Sequence, residues 1–224
     1  KLGGVEHLVL DEADRMLDMG FLPDIKKILR HVPAKRQTLF FSATLEGAAG
    51  QLAKAYTRDA VRHVHAPKVE KAAEVSHRFI HLAHEAKLEA LVAELNGSER
   101  GRTLVFVRTK HFAGRLADLL VRDGIRASAI HGDRTQSQRI RALEDFKDGK
   151  VDFLVATEVA ARGLDIEGLP HVINYEMPLV AEDYIHRIGR TGRAGLDGDA
   201  ISFVGQEEVP LLREIEALIG RQID

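Results

Sequence analysis

Apolar positions along the chain recur in two rhythms, short continuous runs and longer segments with three-and-four spacing. Val5–Leu10 reads as a strand buried on both faces. Leu22–Arg30 reads as a helix with Pro23 in its first turn, Ile25, Ile28 and Leu29 on one face, and Pro33 beyond its end. Thr38–Phe41 is the next expected strand, followed by a Gly/Ala-rich helix around Ala48–Tyr56. Pro67 to Glu74 reads PKVEKAAE, a charged stretch with neither rhythm, and is taken as a linker. Beyond it the alternation restarts, with strands expected at Phe79–Leu82, Thr103–Val107, Ala127–Ile130, Phe153–Ala156, Val172–Tyr175 and Ile201–Val204. One intervening helix carries Leu88, Leu91, Val92 and Leu95 and stops at Asn96-Gly97; another carries Phe112, Leu116, Leu119 and Leu120 and stops at Gly124. Such strand–helix alternation predicts an α/β fold, a parallel sheet wrapped by helices through right-handed crossovers. With only two strands, residues 1–66 look like part of such a domain; 67–74 would be the linker and 75–224 a complete second domain.

Composition sharpens the picture in a few places. The length of 224 residues fits one or two domains, and 45% hydrophobic content suits a globular chain with a real core. No apolar run approaches the ~20 residues that span a bilayer, so no membrane segment is expected. Lys1 is followed by no basic-then-apolar leader, so no secretion signal is read, and a start at Lys rather than Met suggests an excised sequence. The absence of cysteine removes disulfides and thiolate metal sites and agrees with a cytoplasmic location. A net charge of −2 excludes a globally basic nucleic-acid binder but leaves room for a local contact strip. With 5% aromatics and no Trp, a base-stacking platform is not expected; any nucleic acid would be gripped by its backbone. Of the eleven histidines, His77, His81 and His84 and the pair His63 and His65 have suggestive spacing. The former run crosses from a strand into a helix start, so these are read as surface or loop residues rather than a zinc site.

Candidate chemistry begins at DEADRMLDMGF, Asp11–Phe21, directly after an expected strand. In open α/β sheets ligands bind beyond the carboxyl ends of strands, where Asp11 and Glu12 fall. Mg²⁺ takes carboxylate or water oxygens, with substrate phosphates completing its shell, while a neighbouring acid can orient or deprotonate a water. Acids enriched at a helix N-terminus explain this run alone about equally well. Ser42-Ala43-Thr44 follows the Thr38–Phe41 strand, where a capping role is the simpler reading. Later come ATEVAARGLDI, Ala156–Ile166, and HRIGRTGR, His186–Arg193. In the last, Gly189 and Gly192 should interrupt a helix and place Arg190 and Arg193 on an exposed bend, where guanidinium forks onto phosphate oxygens.

In this order, the four stretches resemble the DEAD-box RNA helicases of the second helicase superfamily, over essentially the whole chain. The resemblance implies a complete second RecA-like domain preceded by the C-terminal part of a first, a monomer, and ATP-dependent remodelling of RNA. Asp11 would hold the ATP-bound Mg²⁺ through water and Glu12 would activate the hydrolytic water. Asp14, Ser42, Ala43, Thr44 and His186 would couple hydrolysis between domains. Arg190 and Arg193, at the strand-tip rim of their lobe, would approach the γ-phosphate, with Gly163 and Asp165 at the nucleotide's ribose and phosphate edge.

Strand-end loops of the second domain pair with helix starts, where free N–H groups bind anions without reading sequence. For any one loop ordinary capping is preferred. Arg108 and Thr109 are read as candidate phosphate contacts from their place after the Thr103–Val107 strand, and the resemblance makes Gly132, Gln136, Arg139 and Thr157 RNA-backbone contacts. Thr157-Glu158 departs from the family's usual Thr-Asp, which puts contacts of that acid in question. No G-x-x-x-x-G-K-[ST] loop occurs. In the family it lies before the acids, so the chain alone is expected to lack ATPase activity, and a non-hydrolysing RNA- or protein-binding module is the alternative.

Overall fold

In the computed structural model the described residues are all but Met19, Thr44, Glu46, 65–74, 98–100, Glu167, 193–197, Arg221, Ile223 and Asp224. The expected linker at 67–74 lies outside them. The chain divides into two compact units, Lys1–Pro67 and Lys68–Asp224. No helix among the described residues is long and apolar enough to cross a membrane.

In the first unit β1 (His7–Leu10) pairs in parallel with β2 (Gln37–Phe40), His7 opposite Gln37 and Leu10 opposite Phe40. The crossover carries α1 (Ala13–Asp18) and α2 (Leu22–Leu29), and α3 (Gly47–Tyr56) follows β2. Ile25 and Leu29 of α2 and Leu52 of α3 are buried with Leu8, Leu22, Phe40 and Tyr56 around them. The expectation that β1 is buried on both faces is corrected here. Leu10 is buried, but Val9, on the opposite face of the pleat, is 56% exposed, and Phe41 just after β2 is 52% exposed. Helices pack on one face of this two-stranded sheet, so only one parity of side chains finds apolar neighbours.

The second unit is built from β3 (Val75–His81), α4 (Lys87–Leu95), β4 (Thr103–Val107), α5 (Lys110–Arg122), β5 (Ala127–Ile130), α6 (Gln136–Lys147) and β6 (Phe153–Thr157), then α7 (Glu158–Ala161), β7 (His171–Asn174), α8 (Ala181–Ile188), β8 (Gly198–Val204) and α9 (Val209–Ile219). Its six strands are all parallel, in the order β3-β8-β7-β4-β6-β5. β4 and β6 are buried at every position, as a parallel sheet covered on both faces requires. Val105, Val107 and Val155 join Leu91 of α4 and Leu116 and Leu120 of α5 on one face. Leu104, Phe106 and Leu154 meet Ala142 and Phe146 of α6 on the other. Each such fully buried side chain contributes about 1.5–3 kcal/mol.

β3 begins four residues before the expected Phe79 because it is an edge strand, where Ser76, His77 and Arg78 break no apolar run that the sheet needs. β8 begins three residues before the expected Ile201, at Gly198. A side chain at Gly198 would collide with Thr191 and the backbone of Gly192, so glycine is what lets the two segments touch.

Candidate functional site

The acidic corner of the first unit forms where β1 gives way to α1. Phe41 N–H donates to Leu10 carbonyl at 2.7 Å and Ala13 N–H to Phe41 carbonyl at 3.1 Å, so the ends of both strands clamp the turn. Between these anchors Glu12 takes a left-handed conformation, φ 49°, uncommon for a residue with a Cβ. Asp11 Oδ1 accepts from Glu12 N–H at 2.9 Å, and both side chains stand exposed while Ala13 is wholly buried. Asp14 N–H donates to Ser42 Oγ at 3.3 Å, and Asp14 Oδ1 accepts from Arg15 N–H at 3.0 Å. The structure thus brings DEAD and SAT together through Asp14 and Ser42. Ala43 is exposed, and Thr44 lies outside the described residues.

The Mg²⁺ expected at Asp11 can be tested against this corner. Among the described residues no group of three or more acids and histidines could enclose a metal. One exposed carboxylate fits an ion that keeps most of its water and takes its remaining ligands from phosphate, as Mg²⁺ does.

In the second unit, β4, β6 and β5 lie side by side, so the residues after them share one rim at the sheet's carboxyl edge. Thr109 Oγ1 accepts from Phe112 N–H at 3.2 Å and caps α5. Thr135 and Gln138 form a reciprocal capping box at the start of α6, leaving Gly132 and Gln136 exposed beside it. Lys110 bridges to Asp133 at 2.7 Å, a hydrogen bond that holds the Asp133 carboxyl below the usual range. His131 is buried, and burial and then Arg134 lower its imidazole. Thr157 is buried at the end of β6, and Arg139 is half-buried with its Nε enclosed and unbonded. All six expected nucleic-acid contacts therefore lie along or just behind this rim. Arg108 differs from the rest because its guanidinium already has partners.

Gly163, Asp165 and Arg190 form a separate group. Gly163 has φ 65°, where a glycine is needed, and Asp165 is exposed and bonded to Lys147 at 2.7 Å, which lowers its carboxyl. Helix α8 ends at Ile188 with Gly189 as its cap, as the sequence predicts, and Gly192, with φ 65°, turns the chain beyond that end. Arg190 Nη1 donates to Leu164 carbonyl at 3.0 Å, Leu169 N–H donates to Arg190 carbonyl at 3.0 Å, and Thr191 Oγ1 donates to Leu169 carbonyl. These contacts place Arg190 near the amino ends of β7 and β8. That corrects the expectation of Arg190 on the strand-tip rim: α8 starts at the carboxyl edge and runs back across the sheet, so its far end emerges at the opposite edge. Arg193 lies outside the described residues, and His186 is exposed on α8.

Arg187, of the same HRIGRTGR run, points inward and is 3% exposed. Its Nε donates to Glu158 at 2.9 Å, and its Nη1 to Asn174 Oδ1 at 3.1 Å and Glu176 carbonyl at 2.8 Å, with its plane 4.9 Å over Phe106. Glu158 also lies 3.5 Å from Arg162, which donates to Asp183 at 3.1 Å. The unusual Glu158 thus has defined partners, two arginines that join α7 to α8.

A further polar cluster escaped the sequence reading. Lys87 is 1% exposed, with its Nζ 2.6 Å from Glu208, itself 1% exposed, and bonded to the carbonyls of Tyr175 and Phe203. Burial raises the Glu208 carboxyl, but Lys87 and the N–H groups of Gly205 and Met177 outweigh it and leave the group lowered. Glu208 Oε1 also accepts from Arg108 Nη2 at 3.1 Å. A lysine and a glutamate 121 positions apart carry no signal of pairing in a single sequence.

Residues 1–52 match the family described as DEAD/DEAH box helicase, and residues 86–195 match Helicase conserved C-terminal domain. ATP-dependent RNA helicase RhlB of Pseudomonas syringae pv. tomato is 46% identical over 224 residues, covering 98% of this chain and 56% of the relative. The chain spans about half the length of the curated relatives it matches, 56% of this one and 42% of CshA from Listeria monocytogenes. Among solved structures, E. coli DEAD-box protein SrmB, bound to a regulator of ribonuclease activity, is 39% identical with a TM-score of 0.63, covering 67% of this chain and 89% of that one. S. cerevisiae Dbp5 bound to RNA and ADP BeF3 is 34% identical with a TM-score of 0.81, covering 100% of this chain and 59% of that one. The six-stranded parallel sheet is a RecA-like helicase domain, and with both family matches in the expected order along one chain, the chain belongs to the DEAD-box helicase family.

Proposed function

We propose that this chain is part of an ATP-dependent RNA helicase and supplies its acidic hydrolytic corner and its RNA-gripping second RecA-like unit. The observation that carries the reading is the corner itself: two exposed acids at a strand end, one held in a left-handed turn, fastened through Asp14 to Ser42. Asp11 would hold Mg²⁺ through water, and bound Mg²⁺ supplies charge stabilisation at phosphate. Glu12 orients and deprotonates the attacking water. Asp14, Ser42, Ala43, Thr44 and His186 transmit the nucleotide's state, while Gly163, Asp165, Arg190 and Arg193 address the nucleotide from the second unit. An arginine that meets the transferring phosphoryl group is worth about 10³–10⁵ in rate. Arg108, Thr109, Gly132, Gln136, Arg139 and Thr157 hold RNA backbone without reading its sequence.

The sequence contains no G-x-x-x-x-G-K-[ST] loop, so no backbone nest within it cradles the ATP phosphates. We infer that the isolated chain binds RNA and turns over no appreciable ATP. That same absence favours a second description, a non-hydrolysing RNA-docking module, for the chain by itself. Phosphate release by the purified chain, with and without single-stranded RNA, tests this. Sustained RNA-stimulated turnover would overturn the inference, and failure to bind RNA at low salt would overturn the role of the rim.

A further inference from the structure

Arg108 is held in an unusual way for a residue at an exposed loop. The Glu176 carboxylate accepts its backbone N–H at Oε2, 2.7 Å, and pairs with its Nε at Oε1, 3.5 Å, so one side chain fixes both ends of the arginine. Glu208 takes Nη2 at 3.1 Å. Glu208 cannot swing away, because Lys87, Gly205 and Met177 hold its two oxygens. One edge of the guanidinium is therefore hydrogen-bonded to the fixed Glu208 carboxylate and Nε is ion-paired with Glu176, while Nη1 makes no hydrogen bond among the described residues, and the side chain stays 32% exposed. Arginine loses about 2 kcal/mol of rotamer freedom when ordered, a cost that prior clamping removes from the binding step.

We propose that Glu176 is a positioning residue for nucleic-acid binding, which presents the free edge of Arg108 to a backbone phosphate at the carboxyl rim. This rests on the reading of Arg108 as an RNA contact. A second consequence follows from the chain's path. The Glu176 carbonyl accepts from Arg187, and Arg187 sits three residues before Arg190 on the same run, so the residue that sets Arg108 is anchored to the helix leading to the nucleotide-facing bend.

A plain loss-of-charge experiment is ambiguous, since removing any carboxylate near RNA favours binding electrostatically. A double-mutant cycle resolves it. Binding of fluorescently labelled oligo(U) to the full chain would be measured for the parent, Glu176→Gln, Arg108→Ala and the double variant across a salt series. Arg108→Ala should weaken binding and lower the slope of log K against log[salt] by about 1. Glu176→Gln should weaken binding about two- to tenfold when Arg108 is present, the worth of one ordinary hydrogen bond, and leave it unchanged or tighter when Arg108 is absent. Equal tightening in both backgrounds would make Glu176 a bystander charge; greater tightening with Arg108 present would make it a latch. Either result overturns the proposal. If Arg108→Ala itself has no effect, the RNA role of Arg108 fails instead. Independently of RNA, nitrogen-15 spectra should show a protected Arg108 backbone N–H whose protection falls in Glu176→Gln at unchanged melting temperature; its absence in the parent would also overturn the clamp.

Discussion

Glu158 stands at the start of α7, where the family's usual residue is one methylene shorter, and the extra reach is used. Its two oxygens meet Arg187 at 2.9 Å and Arg162 at 3.5 Å. Arg187 is buried, so burial lowers its affinity for a proton while Glu158 raises it, and a guanidinium stays charged throughout. Removing the counter-charge strands a buried cation, which costs about 3–5 kcal/mol. Glu158→Gln should therefore lower the denaturation midpoint sharply, and Glu158→Asp, which keeps the charge, should cost less; equal midpoints for all three would show that the pair is not structural. The Lys87–Glu208 pair gives a pH dependence. The Glu208 carboxyl sits below its ordinary value of 4.5, so its contribution is fully present above that value and is lost as pH falls through the lower folded value. Urea midpoints taken at neutral pH and under acid should fall more for the parent than for Lys87→Met. Glu158 and Arg162 stand four apart, as helical spacing allows, but the Glu158–Arg187 and Lys87–Glu208 pairs were not legible in the sequence, because they join elements far apart along the chain.

Among the elements, those with period and punctuation were legible, whereas strands that extend beyond their apolar stretch were legible only in part. β4 and β5 have the expected bounds, since each ends at a polar loop that opens a helix. β3 and β8 were found only in their apolar halves. The opening Gly198 of β8 could not be recognised as a strand residue, because its reason lies in Thr191 and Gly192 against it. Gly198→Ala should force that bend outward, at a cost of about 1–3 kcal/mol or more, and calorimetry would show it. In α6 the capping box is worth about 1 kcal/mol, so Thr135→Ala should show a loss of that size without altering β8.

For the whole chain, the motif order was enough to reach the family, because DEADRMLDMGF and HRIGRTGR are long and specific. Which residues face outward was not. Arg187 and Arg190 look alike in the sequence, yet the first is enclosed and the second lies on the bend. The two units should also differ in resistance to opening. In the first, a two-stranded sheet leaves Val9 and Phe41 more than half exposed, whereas in the second β4 and β6 are wholly buried. Hydrogen exchange should be fast through β1 and β2 and slowest in β4 and β6; uniform protection would contradict this.

The inward turn of Arg187 bears on how inactive alleles are sorted. A screen that scores only lost activity would pool alanine changes at positions 187 and 190 and credit both with chemistry. Soluble yield would separate them, since the protein lacking Arg187 should be cleared by cellular proteases while the one lacking Arg190 accumulates intact.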